Sequence, residues 1–179
     1  QADAGITQDF DFAALMDGAQ GYQPNDRRHV FKFFGSWEPM DDLMVGWNAT
    51  LSSGRPLSLF GQGYPSDDPN LNGGWGDLFY LADTDENGEL TGTYTRHARG
   101  TAGRTPWTFK VDLSAAYNFT VSDIDMKASI NVFNLFNTQE PVALNEHYEQ
   151  SEGVVNQWHG AAYNFQTPRY VRIGLEARF

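Results

Sequence analysis

The residues best spaced for chemistry lie between Asp83 and Leu90, in the run DTDENGEL, where Asp83, Asp85 and Asn87 alternate and Gly88 follows. Oxygens at the first, third and fifth positions of a loop converge on a hard cation such as calcium, and a glycine at the sixth allows the sharp turn. The acid that such a loop carries at its twelfth position is missing, because Tyr94 stands there. Two readings stay open: half a calcium loop, or an acidic Asn-Gly turn in an exposed loop.

Aromatic residues gather in the same irregular stretches, namely Tyr64, Trp75, Phe79, Tyr80, Tyr148, Trp158 and Tyr163. Such rings bury much area at little entropy cost, which suits a substrate vestibule, and Trp75 and Trp158 are singled out for substrate contact. The alternative is that the rings pack the loops against one another. Arg96, His97, Arg99 and Arg104 form a basic cluster suited to ion pairing within the loops, to lipid phosphates, or to an anionic ligand. His29, His97, His147 and His159 have no zinc-type spacing. No nucleophile elbow, phosphate loop or spaced acid pair is present, so nothing points to an enzyme.

These side chains need a scaffold. Of the 179 residues, 40% are hydrophobic and 15% aromatic, far too many for a disordered chain. Mean hydropathy is −0.51 and no run of about 18 apolar residues occurs, so any membrane crossing is by strands, whose alternate residues are polar. A net charge of −11 argues against nucleic acid, which needs a basic face. Cysteine is absent, which removes disulfides and thiolate metal sites. The start at Gln1, without Met or targeting segment, is expected of a chain cut from something longer.

Period-two alternation identifies five strands. Residues 1–28, with Asp3, Asp9, Asp11, Asp17 and Asp26 among glycines, read as a loop containing a helical turn near Phe12 to Met16. Residues 29–58 read as a hairpin: Phe31, Phe33, Gly35 and Trp37 share a face, and after a turn at Glu38 to Asp42 so do Leu43, Val45, Trp47, Ala49 and Leu51. Residues 59–104 lose the pattern for longer than a compact soluble domain tolerates, which marks a functional loop. In the hairpin expected over 105–138, Trp107, Phe109, Val111, Leu113, Ala115, Tyr117 and Phe119 alternate with polar or small residues. A turn at Ser122 and Asp123 then leads to Met126, Ala128, Ile130 and Val132. Residues 139–166 are a second long loop. Residues 167–179 end the chain with Val171, Ile173, Leu175, Ala177 and Phe179 on one face and Arg172, Gly174, Glu176 and Arg178 on the other.

Short turns on one side and long loops on the other, with ten or more alternating residues in several strands and aromatics at strand ends, are the pattern of a transmembrane β-barrel of a bacterial outer membrane. Turned over, the last strand would offer Arg172 to lipid at roughly 2–4 kcal/mol, so its charges face the lumen. The terminal Phe179 suits a membrane interface.

The motifs PNDRRH at Pro24 to His29, SSGRPLS at Ser52 to Ser58, GRTPWTFKVDLSAAY at Gly103 to Tyr117, INVFNLFNTQ at Ile130 to Gln139 and YNFQTPRYVRIGLEARF at Tyr163 to Phe179 resemble the C-terminal part of TonB-dependent receptors. The similarity is to the Oar-like, carboxypeptidase-regulatory-domain-containing subgroup. The resemblance implies an all-β fold: the C-terminal antiparallel strands of a 22-stranded barrel with long extracellular loops, filled by a plug that this chain lacks. It further implies active import of a scarce or large substrate, energised through TonB. The partners it implies are the remaining strands and plug of the receptor, TonB itself, outer-membrane lipid and lipopolysaccharide, and the barrel-assembly machinery, which reads the last strand. Five strands cannot close a barrel, since the smallest single-chain barrels have eight, so a fragment, a split polypeptide or a partial chain is expected. Two alternatives remain: a barrel serving as assembly platform or adhesion surface, and a soluble secreted β-sandwich that buries its apolar faces between sheets.

Overall fold

A computed structural model of the chain describes residues 12–66, 68 and 77–178. Trp75 and Phe179 lie outside the described residues, as do Asp3, Asp9 and Asp11. Among the described residues one helical turn, α1 (Ala13–Met16), precedes eleven strands: β1 (Val30–Met40), β2 (Leu43–Ser52), β3 (Tyr80–Thr84), β4 (Leu90–Arg96), β5 (Thr108–Val121), β6 (Ile124–Phe133), β7 (Pro141–Leu144), β8 (Glu149–Ser151), β9 (Val154–Val155), β10 (Ala162–Phe165) and β11 (Tyr170–Arg178). The chain divides into a loop unit (Gln1–Asp26, Arg55–Thr105, Ala143–Asn164) and a sheet unit (Arg27–Gly54, Pro106–Val142, Phe165–Phe179).

In the sheet unit the five long strands pair antiparallel in the order β1-β2-β5-β6-β11. The apolar sets fall into register across all five. Phe33 faces Ala49, which faces Val111; Ala115 faces Ile130, which faces Ile173. The other face is polar in the same register, with Lys127 opposite Glu176, Asp125 opposite Arg178, and Lys110 paired to Asp112 at 3.0 Å. Among the described residues of the sheet unit nothing covers the apolar face: Phe33 is 69% exposed, Ile173 79% and Leu175 65%. The sandwich alternative required a second sheet there. Each end of the sheet, β1 and β11, has a neighbour on one side within it.

The two tight turns follow from local chemistry. Ser122 (φ 50°) and Asp123 (φ 65°) both take the left-handed conformation that a two-residue type I′ turn needs to match strand twist. Asp42 (φ 66°) does the same after Asp41, where the β1–β2 register slips between Trp37 and Met40. Beyond β6 the chain forms a knuckle on Asn134, a residue 1% exposed. Its side chain donates to the carbonyls of Thr138 and Thr167, each at 2.8 Å, and accepts from the Thr138 backbone at 3.1 Å. Its own N–H donates to Asp112 at 2.8 Å, so this knuckle ties the exit of β6 to the first part of β5 and to the entry of β11.

The long connections hold structure of their own, which the missing period-two pattern concealed. β3 pairs with β4, β7 with β10, and β8 with β9. A small apolar core of Ala14, Leu15 and Leu78, joined by the partly buried Phe12 and Tyr64, anchors the loop unit. Strands of two to seven residues cannot show a reliable alternation, and their stability comes from contacts far apart in sequence.

Candidate functional site

Two carboxylates organise the loop unit. Glu149 is 2% exposed, and its oxygens accept from the backbone N–H groups of Gln62 and Ala82, each at 2.8 Å. A polar group so buried needs hydrogen-bond partners, and here the side chain joins segments 87 and 67 residues away in sequence. Gly61 is required beside it, since a Cβ there would fall 1.8 Å from the Tyr80 carbonyl oxygen. Asp17, after α1, accepts from the Tyr80 hydroxyl at 2.5 Å and the Tyr64 hydroxyl at 3.4 Å, and pairs with Arg96 at 3.5 Å. The Asp17 hydrogen bond, with burial and charge, pushes the Tyr80 phenol up to about 12; burial, then Asp17, raises Tyr64 as well.

This frame carries an open cleft of about 660 Å³, whose lining includes Phe60, Asp77, Asn145, His147, Trp158 and Tyr163. Phe60 is set by its N–H donating to the Glu146 carbonyl at 3.0 Å and by its ring standing edge-on to the buried Phe79 at 5.4 Å. The His147 ring lies 5.9 Å from Phe60. Beneath them Glu146 accepts from the Ser58 N–H at 2.6 Å and pairs with Arg55 at 2.7 Å. Trp158 is presented by a turn that Asn156 ties together. The Asn156 side chain accepts from the Trp158 N–H at 2.9 Å and donates to the His147 carbonyl at 3.1 Å. Gly160, at φ 76°, lets the turn return and donates to the Asn145 carbonyl at 2.9 Å. On this fixed base the Trp158 and Tyr163 rings stand 65% and 70% exposed. Asp77 faces His147 at 3.5 Å, an ion pair only when the imidazole is protonated.

The aromatic set read from the sequence thus divides. Phe79 is buried, Tyr64 and Tyr80 pack edge-to-face at 5.3 Å, and Tyr148 stands against His159 at 5.1 Å. Trp158 and Tyr163 line the cleft. Within the basic cluster, Arg96 pairs with Asp17, Arg104 with Asp26 at 2.6 Å, and Arg99 sits 5.2 Å over the Phe79 ring. Phe60 and Asp77 escaped sequence reasoning because nothing local marks them, and His147 was weighed there only as a zinc ligand.

Asp83 lies in β3, Asp85 and Asn87 lie in the turn that joins it to β4, and they address different donors. Asp83 accepts from the Thr93 and Thr95 hydroxyls at 2.9 and 2.8 Å. Asp85 accepts from the N–H groups of Asn87 and Glu89 at 2.8 and 2.9 Å, and these bonds, the Glu89 one foremost, hold its carboxyl below the usual carboxylate range. Gly88, at φ 84°, supplies the left-handed residue of the turn. Among the described residues no group of three or more His, Asp or Glu side chains is arranged to hold a metal ion.

The sequence is similar to that of a known transporter. The TonB-dependent transporter Oar of Myxococcus xanthus is 33% identical over 144 residues, which is 78% of this chain and 11% of that protein. The chain therefore spans about a ninth of the length of the relative it matches. No protein-family model and no solved structure matches the chain.

Proposed function

We propose that this chain is the C-terminal part of the barrel wall, with its outer loops, of an Oar-like TonB-dependent receptor in a bacterial outer membrane. The observation that carries the reading is the five-strand sheet whose apolar face runs unbroken from Phe33 to Ile173 and is uncovered. In water such a surface is a liability, whereas a bilayer is its natural cover. Similarity to a transporter over most of the chain supports the same reading.

On this reading β1 and β11 continue into the remaining strands of a 22-stranded barrel, and the polar face lines a lumen holding a plug. The β1–β2 and β5–β6 turns face the periplasm, and the segments 1–28, 59–104 and 139–166 are extracellular. Trp158 and Trp75 contact substrate imported with energy delivered through TonB. Outer-membrane lipid and lipopolysaccharide surround the wall, and the barrel-assembly machinery inserts it. Calcium at the hairpin tip would draw on Asp83, Asp85 and Asn87 in competition with their present donors; hairpin melting identical in calcium and in chelator removes it.

The test is fractionation of the source cells. The protein is expected in outer membranes, released by detergent and not by salt or alkaline washing. Recovery in the soluble fraction sinks the proposal.

A further inference from the structure

We infer that the cleft around Trp158 binds the cationic group of a ligand, an ammonium or guanidinium such as a basic peptide side chain carries. This names a substrate class for the receptor proposed above and rests on that reading for its biological meaning.

The first support is how charge is distributed. The loop unit contains 15 Asp and Glu against 4 Lys and Arg, a net of −11, whereas the sheet unit contains 8 against 8. The entire formal charge of the protein therefore sits on the unit that holds the cleft. All four arginines of that unit are engaged: Arg55, Arg96 and Arg104 in ion pairs, and Arg99 over Phe79. The surrounding field concentrates cations and repels anions.

The second support is the cleft itself. Among the described residues no Lys or Arg lines it, and the partner in ion-pair range of Asp77 is His147 at 3.5 Å, a cation only when its imidazole is protonated. Asp77 shares the lining with the exposed faces of Trp158 and Tyr163 and the ring of Phe60. Aromatic faces attract a cation electrostatically, Trp most strongly, and a neighbouring carboxylate fixes where the charge rests. The volume of about 660 Å³ is that of a small-molecule or side-chain pocket. A neutral sugar would use the rings yet gain nothing from the charge, and an anion would be repelled.

The experiment is calorimetric titration of the protein in detergent micelles with trilysine, triglutamate and maltotriose at physiological salt. Trilysine is expected to bind and the other two are not. Asp77→Asn should weaken trilysine about tenfold and Trp158→Ala about fivefold, while Glu86→Gln, on the hairpin turn and equally a loss of one charge, should leave it unchanged. Both sites are exposed, and unaltered melting of each variant establishes that it folds. Equal loss in Glu86→Gln means diffuse attraction and overturns the inference, as does preference for maltotriose or triglutamate. Membrane-inserted protein that ignores trilysine refutes this inference alone; soluble protein refutes the receptor reading whatever trilysine does.

Discussion

The side-chain amide of Asn134, just past the end of β6, donates at 2.8 Å to the carbonyl of Thr167, three residues before β11 begins. One buried side chain thus fixes the entry of the last strand while also holding Thr138. Replacing it leaves buried carbonyls without donors, at about 1–3 kcal/mol. Asn134→Ala should lower the unfolding midpoint accordingly. Asn134→Gly should lose less, because φ is +50° there and a Cβ other than that of Asn or Asp is strained. Equal midpoints for the wild type and the Ala variant would sink this account.

Glu149 makes a comparable prediction for the loop unit. Glu149→Ala leaves the Gln62 and Ala82 amides unpaired in a buried setting, at about 3 kcal/mol. Amide exchange of those two residues should accelerate far beyond that of the β5–β6 turn. Gly61→Ala should act in the same direction, since its Cβ has no room beside Tyr80.

Tyr80 reports on Asp17. Its folded value, about 12, lies above the ordinary 10.0, so its hydrogen bond contributes stability below pH 10 that is lost as pH rises through about 12. Asp17→Asn should return this phenol toward the ordinary value, read by near-ultraviolet titration. A Tyr80 titration unchanged in the variant contradicts the contact.

The hairpin tip behaves oppositely. Asp85 is held below the usual carboxylate range, so its support for the turn is present above that range and disappears as pH falls through its depressed value. Exchange of the Asn87 and Glu89 amides should rise on acidification and should already be fast at neutral pH in Asp85→Ala.

The facing of the sheet is directly testable because the chain has no cysteine. A cysteine placed at Ile173 should react in membranes with lipid-soluble reagents only, and one placed at Gly174 with water-soluble ones. Ile173→Arg should cost roughly 2–4 kcal/mol if that face meets lipid at the midplane. Reversed labelling would falsify the assignment of faces.

Period-two alternation is a local property, so Val171, Ile173 and Leu175 declare a two-faced strand without any knowledge of their partners. The same holds for Trp107 to Phe119 and for the turn at Ser122 and Asp123, whose conformation their own side chains tolerate. The INVFNLFNTQ motif was visible as a family-like signature, but its work, carried by Asn134, became apparent only once Thr167 lay beside it. The loop unit was least legible. Asp17 meets Tyr80 across 63 residues and Glu149 meets Gln62 across 87, and no short-range pattern encodes such meetings. Trp158 could be named from its type alone, whereas the cleft it lines depends on Phe60, Asp77 and His147 converging from separate segments. Strand identity and facing were determined by neighbours along the chain; the site was decided by folding, because its geometry exists only between residues that the sequence keeps far apart.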